Sequence, residues 1–315
     1  MTLTAAESTL PDASGSARRG ADLALTVVVF VLAALVFALL PQRTMHGMDA
    51  GYFVHWLEQG QLQYPRHVAY LHLCSALFEW LRPYGLSAYQ ALLLASALGT
   101  ALGIAFWFRA ALLLTAGSRA KALLVTIATG LTPAWFYFGT CAEIPGVFLG
   151  GVGVAWWAFA RWLSAPSVLR AATMGFGCAL AGGIHSFGHI LMPTFVAFAW
   201  LLRWPQVALL TGRERALHLL ALVLAQGLTA AAMALWFGAG ASGQAADAMH
   251  HLEERWRTFA PGTAPAVFVR EWLVPFLPWS ALSLLALFVP RARSWAVCVV
   301  VGLALHLPLS VLLLG

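Results

Sequence analysis

Charged residues are scarce in this chain, making up 10% of its 315 residues, whereas a soluble domain carries roughly 25%. Hydrophobic residues make up 61%. A globular fold of this length would lack the polar side chains to cover its surface, because water-exposed faces need them. The composition therefore excludes a soluble fold and predicts an all-α integral membrane protein.

Cysteine and nucleotide motifs are also scarce. The four cysteines (Cys74, Cys141, Cys178 and Cys298) show no CxxC spacing, so they form neither a metal nor a redox framework. Walker, Rossmann, zincin and nucleophile-elbow motifs are all missing. The net charge of +6 comes from short basic clusters between apolar runs. That arrangement is typical of membrane topology signals and does not indicate a nucleic-acid partner.

Apolar runs predict about nine transmembrane helices, because roughly 20 apolar residues cross a bilayer core of about 30 Å. The runs are 23–40, 88–108, 121–138, 145–160, 169–185, 189–202, 216–237, 273–290 and 294–313. Residues 1–21 are polar and are predicted to be a disordered cytoplasmic tail. The first run lacks a small-residue cleavage site after it, so we interpret it as an uncleaved membrane helix.

A further apolar run, 66–82, differs from the others. Its residues His72, Ser75, Glu79 and Arg82 follow each other at spacings of three, four and three, which places them on one face of a helix. One polar stripe on an apolar helix is typical of a helix that lies in the membrane interface. Residues 49–60 predict a second amphipathic helix in the same loop.

The distribution of basic residues supports this interpretation. If 66–82 does not cross, twelve of the 18 basic residues fall on the cytoplasmic side with the amino terminus, as the positive-inside rule requires. They are Arg18, Arg19, Arg109, Arg119, Lys121, Arg161, Arg170, Arg203, Arg213, Arg215, Arg291 and Arg293. The outer face then receives the loop 41–87, the turns 139–144 and 185–189, and the loop 238–272.

Two outer acids are candidate catalytic residues, because an ionisable group at a membrane boundary is costly to desolvate. Asp49 lies between small residues just after the first helix, and Glu143 precedes Pro145 at the next outer turn. Each has a structural alternative. Asp49 would cap the helix 50–60, and Glu143 would be an acid favoured by a helix dipole.

Several outer residues are candidates for substrate binding. His185 and His189 are four apart, but two histidines without a third ligand are a weak metal signal, and a break at Gly188 would separate them. Tyr64, Arg66 and His67 stand at the start of the interfacial helix, where cationic donors could hold a phosphate. The alternatives are ordinary interfacial histidines and contact with anionic lipid.

The order of these motifs resembles the GT-C superfamily of multispanning glycosyltransferases, whose relatives include protein O-mannosyltransferases. The multispanning mannosyltransferase-like branch is the most similar. The motifs are Asp49-Ala50-Gly51-Tyr52-Phe53, then Tyr64-Pro65-Arg66-His67-Val68-Ala69-Tyr70, then Ala142-Glu143-Ile144-Pro145, then Gly182-Gly183-Ile184-His185. Tyr52, Arg66-His67 and Pro145 depart from the family pattern. The resemblance covers residues 22–205, and 206–315 match only as membrane helices.

The resemblance implies a catalytic membrane module over 22–205 that acts on the outer face of a bacterial inner membrane. The donor would be a polyprenyl-phosphate-linked sugar, and the acceptor a lipid, glycan or protein. Asp49 would be the general base, Glu143 would orient a substrate, and Arg66, His67 or His185 would stabilise the phosphate. No nucleotide or redox cofactor and no metal is implied.

Two other classes of function stay open. A transporter or flippase would need charges or broken helices at mid-membrane, whereas the charges here cluster at the helix ends. A non-catalytic membrane subunit or assembly factor would need no acid at the outer turns. In that case the chain would act with a partner subunit.

Overall fold

The computed structural model describes residues 13–42, 48–62, 67–201, 204–237 and 274, and within these ranges the chain is helical with no strand. The helices are α1 (Ala13–Leu39), α2 (Met48–Gln59), α3 (Tyr70–Leu81), α4 (Ala88–Leu114), α5 (Arg119–Gly130), α6 (Pro133–Thr140), α7 (Ile144–Ser164), α8 (Val168–Ile184), α9 (Leu191–Leu201), α10 (Pro205–Ala208) and α11 (Gly212–Trp236). Short 3-10 turns cover Arg82–Tyr84 and Ser186–Ile190. Apart from residue 274, the predicted helices 273–290 and 294–313 and the loop 238–272 lie outside the described residues.

Four of the described helices are long and apolar enough to cross a membrane, namely Arg18–Leu39 within α1, α4, α7 and α11. The pair α5 and α6 would make a fifth if it counts as one bent span. About nine transmembrane helices were predicted from the sequence, and the described residues contain four or five helices that could cross a membrane. α8 and the segment Ser186–Ala199 are apolar but shorter than a full crossing requires.

The outer surface of these helices is apolar. Only 6% of the apolar window of α1 and 11% of that of α11 is buried inside the protein. Side chains such as Leu32, Leu39 and Leu228 are 58%, 74% and 70% exposed. Contiguous apolar surface on this scale needs a lipid solvent. Together with the helix lengths, it identifies the chain as an integral membrane protein.

The amino-terminal tail is shorter than expected. Residues 13–21 were predicted to be disordered, but they extend α1 by more than two turns. Contacts with the α4–α5 connection hold the end of this extension: the Arg18 guanidinium donates to the Gly117 carbonyl at 3.2 Å, and Arg119 Nε lies 2.7 Å from Asp22 Oδ1. The Gly117 φ of +77° suits this tight turn.

Hydrogen bonds show which helix ends lie together. The Gln42 amide at the end of α1 donates to Thr140 O at 2.8 Å, and the Tyr89 hydroxyl at the start of α4 donates to Gln42 O at 3.2 Å. The chain therefore leaves α1 and enters α4 at the same end of the bundle. α3, with 12 residues, is only about 18 Å long.

Glycines bring α4 and α7 into direct backbone contact. A Cβ atom on Gly150 would lie 2.8 Å from Gly99 O, and one on Gly153 would lie 2.6 Å from the Gly103 Cα atom. Ser96 and Thr100 strengthen the contact by donating to the carbonyls of Glu143 and Gly146 at 3.1 and 3.2 Å. In a lipid bilayer the hydrophobic effect does not drive helices together, so they associate through close backbone contact at small residues.

The apolar run 121–138, predicted as one helix, is two helices bent by 66°. Pro133 causes the break, because proline lacks an amide proton and disfavours helical backbone at the residue before it. Thr132 accordingly has φ −65° and ψ 146°. Its hydroxyl donates to Thr129 O at 2.8 Å, so the polar side chain at the bend is satisfied locally.

Candidate functional site

The bundle end that carries the predicted outer acids is covered by α2 and α3. Phe53 of α2 and Tyr70 of α3 contact each other edge to face with ring centroids 5.2 Å apart. Both side chains belong to one buried apolar cluster with Ala50, Ala142 and Ile144. The helix that bears Asp49 therefore shares one buried cluster with the residues on either side of Glu143.

Glu143 occupies the N-cap position of α7, but its carboxylate makes no capping hydrogen bond there. The side chain is half-buried, and its backbone carbonyl accepts from Ser96. The negative charge of Glu143 raises the pKa of two buried neighbours, Cys141 and Tyr70. Burial first and the Glu143 carboxylate second raise the pKa of the Cys141 thiol to about 12. Glu143 does not cap α7 with its side chain, but its place at the helix start fits the structural alternative of an acid favoured by the helix dipole, which stays open beside the functional one.

The charge of the same carboxylate also acts on Tyr70. Its side chain is fully buried beside the Cys74 thiol. Burial raises the pKa of Tyr70 well above its ordinary value, and Cys74 and Glu143 add to that shift. Sequence reasoning missed Tyr70 as a site residue. Its position in the Tyr64–Tyr70 motif was the available signal.

His67 fixes the start of α3 to the end of α8. Its Nδ1 atom lies 3.2 Å from Ile184 O, and two residues later the Ala69 amide donates to Gly183 O at 2.8 Å. A carbonyl can only accept, so this contact places a proton on His67 Nδ1. The imidazole is buried, with 6% of its surface exposed.

His67 and His185 form a pair, with ring centroids 4.4 Å apart. The Phe187 amide donates to His185 Nδ1 at 3.2 Å, which places the His185 proton on Nε2 in the neutral ring. The rings of Phe148 and Phe187 flank His185 at 5.3 and 4.9 Å. The structure therefore brings together two of the predicted binding residues in a partly aromatic setting.

His189 lies apart from this pair. Its Nδ1 atom is 3.3 Å from Gln226 Nε2, so its partner is α11. A Cβ atom on Gly182 would collide with the His189 ring, which shows that the ring rests on the α8 backbone. α8 ends at Ile184, and His189 lies within the 3-10 turn Ser186–Ile190, so the helix breaks before His185 and not at Gly188 as expected. Among the described residues no three metal-ligating side chains cluster.

The remaining predicted residues are only partly visible. Asp49 is the second residue of α2, which begins at Met48, so it does not occupy the cap position proposed as its structural alternative. Its side chain lies outside the described part of the chain, as do Tyr64 and Arg66 altogether. The proximity of Asp49 and Glu143 carboxylates thus stays a prediction.

Comparison with known proteins adds no relative: no family model, no curated protein and no solved structure matches this chain.

Proposed function

We propose that this protein is a GT-C-like membrane glycosyltransferase that moves a sugar from a polyprenyl-phosphate donor to an acceptor on the outer face. The observation that carries the proposal is the half-buried Glu143 carboxylate at the bundle end that also holds the His67–His185 pair. An ionisable group at a membrane boundary is costly to desolvate, so a carboxylate kept there is a candidate for substrate contact.

The orientation follows from the basic residues. Arg18 and Arg119 lie at the end of the bundle opposite Glu143, and Arg170 there donates to Ala165 O at 2.8 Å. Under the positive-inside rule that end faces the cytoplasm. α2 and α3 then lie along the outer surface, with Trp80 and Tyr84 (66% and 74% exposed) suited to the lipid headgroup region.

The chemistry is a direct displacement at the anomeric carbon of the donor sugar. Asp49 takes the proton from the acceptor's hydroxyl or amine as the new bond to the sugar forms. The bond from the sugar to the phosphate oxygen breaks, and the polyprenyl phosphate leaves with the electron pair. Arg66, His185 through Nε2–H, or His67 through Nε2–H when its ring is protonated donates a hydrogen bond to that phosphate, and Glu143 orients a sugar or acceptor hydroxyl.

One observation favours a transporter as second candidate, the bend between α5 and α6. Broken helices often carry substrate sites in transporters because they expose backbone carbonyls and amides. Here Thr132 bonds to its own turn, and Leu131 beside it is 71% exposed on the outer surface of the protein. The buried hydroxyls around the bend, those of Thr126, Thr129 and Thr132, all donate to backbone carbonyls three or four residues earlier and so are already occupied, and we prefer the transferase.

The test is a transfer assay with the full chain in proteoliposomes and a panel of radiolabelled polyprenyl-phosphate sugars, with membrane extract as the source of acceptors. We expect transfer from one donor by the wild type and none by Glu143→Gln. The matched control is Glu79→Gln, which removes an exposed carboxylate paired with Arg82 on the same bundle end. Lack of transfer from every donor, or equal activity of Glu143→Gln, would reject the proposal.

A further inference from the structure

The bundle end opposite Glu143 contains an apolar cavity of about 340 Å³. It lies between the end of α7, the start of α8, α9 and the start of α11. Its described lining is mainly aliphatic and includes Met174, Val196 and Leu222. Small-molecule sites in proteins enclose roughly 300–1,000 Å³, so this cavity suits part of one lipid chain and not a whole lipid.

Two polar side chains line this cavity without hydrogen-bond partners. Trp162 and His218 are 8% and 7% exposed, and their ring centroids lie 6.2 Å apart. Within the described part of the chain, neither Trp162 Nε1 nor His218 Nδ1 has a partner. Buried polar atoms are almost always paired, so two unpaired ones beside one cavity indicate an occupant that supplies the missing partners.

A cationic side chain also lines the cavity. Arg215 is exposed, and its Nε and Nη2 atoms donate to Leu210 O and Ala208 O, both at 3.0 Å. These bonds hold the guanidinium in place beside the cavity. An apolar slot with a positive group next to it matches a phospholipid, whose acyl chain and phosphate adjoin each other.

We propose that this cavity is a binding site for a membrane phospholipid, distinct from the site proposed for sugar transfer and independent of that function. One acyl chain fills the space between α7, α8, α9 and α11. Because an indole N–H can only donate, the group beside Trp162 is an acceptor, which the ester carbonyl of the lipid provides. Arg215 contacts the phosphate.

Native mass spectrometry of the full chain in mild detergent, titrated with phosphatidylglycerol, tests the proposal. We expect one retained lipid on the wild type and about three- to tenfold weaker binding by Trp162→Phe, which keeps the ring but removes one hydrogen-bond donor. The matched control is Trp157→Phe. Trp157 stands on the same helix but packs against Arg161 and Phe106 instead of lining the cavity.

Two further variants test the contact with the acyl chain and the contact with the phosphate separately. Ala199→Leu adds three carbons to a side chain that lines the cavity, and we expect it to prevent lipid retention. Arg215→Gln removes the cation and should weaken binding, whereas Arg213→Gln, exposed and not part of the described lining, should not. Circular dichroism and gel filtration confirm that each variant is folded before binding is measured.

Three results would overturn the proposal. The first is a wild-type protein that retains no phosphatidylglycerol. The second is binding that neither Trp162→Phe nor Ala199→Leu changes in folded protein. The third is a cavity occupied by another molecule, shown by competition from undecaprenyl phosphate at equal concentration or by a dimer that Ala199→Leu dissociates.

Discussion

His67 and Ile184 are 117 residues apart in the chain, and a contact of 3.2 Å joins the Nδ1 atom of the first to the carbonyl oxygen of the second. This bond and the neighbouring Ala69–Gly183 bond attach the start of α3 to the end of α8. The attachment places the His67 ring beside that of His185. A surface helix is thereby fixed over the bundle end where Glu143 lies.

His67→Phe tests this attachment. Phenylalanine keeps an aromatic ring beside His185 but cannot bond to Ile184 O, which is left without that donor in a buried position. We expect the free energy of unfolding in detergent to fall by about 1–3 kcal/mol. If His67 also contacts donor phosphate, binding of undecaprenyl phosphate to the folded variant falls as well.

His72→Phe is the matched control for that variant. His72 lies on α3 and contacts a carbonyl, that of Val68 at 3.1 Å, but it is half-exposed and its partner stands four residues back in the chain, just before α3 begins. We expect it to change unfolding by less than His67→Phe and to leave phosphate binding unchanged. Equal effects of the two variants would show that the α3–α8 attachment contributes little.

Gly153→Ala tests the backbone contact between α4 and α7. The new Cβ would lie 2.6 Å from Gly103 Cα, where neither helix has a flexible side chain to move away. We expect a loss of about 1–3 kcal/mol in a detergent unfolding titration, as for overpacked cores.

Gly227→Ala makes the same chemical change in α11, where no atom of the described residues lies within 4 Å of the added carbon. Alanine has the higher helix propensity, so stability should hold or rise by about 0.4–1 kcal/mol. If Gly153→Ala were as stable as Gly227→Ala, close backbone packing would not hold α4 against α7.

Much of the helix order could be predicted from the sequence. Uncharged apolar runs lie on α4, α7, α8 and α11 to within a few residues, because lipid requires nearly continuous apolar sequence. Pro133 was a visible signal for the break, but hydropathy alone describes residues 121–138 as one continuous apolar run. The Gly99–Gly103 and Gly146–Gly150 spacings were a further signal for helix contact that composition does not reveal.

The site was less predictable than the fold. Glu143 and His185 stand out because polar residues are rare beside apolar runs. Their local settings depend on contacts distant in sequence, such as Ser96 with the Glu143 carbonyl and His67 with Ile184. The pairing of His189 with Gln226 of α11 could not be inferred, because nothing in the sequence indicates that α8 and α11 are neighbours.

Cysteine labelling tests the orientation in the membrane. We expect a cysteine at Tyr84, 74% exposed, to react with an impermeant maleimide from the outer side only, because α3 returns the chain to the end where it left α1. Cys74, Cys141 and Cys178 are buried, and the Cys141 pKa of about 12 keeps that thiol protonated during labelling. Cys298→Ser removes the remaining thiol. Labelling of position 84 from the cytoplasm alone would reverse the proposed topology.

Asp49→Asn tests the proposed general base. Asparagine has the size of aspartate but does not accept a proton at neutral pH, so we expect transfer to fall by about a hundredfold or more, the range of general-base catalysis. Asp49 is the second residue of α2, where a purely structural acid would contribute only about 0.3–1 kcal/mol through the helix dipole. Folding and lipid-phosphate binding should therefore stay nearly intact.

Arg66→Ala is the contrasting variant, expected to weaken donor binding. Full transfer by purified Asp49→Asn would show that Asp49 is a structural helix-start acid, and the transferase proposal would then depend on Glu143 alone.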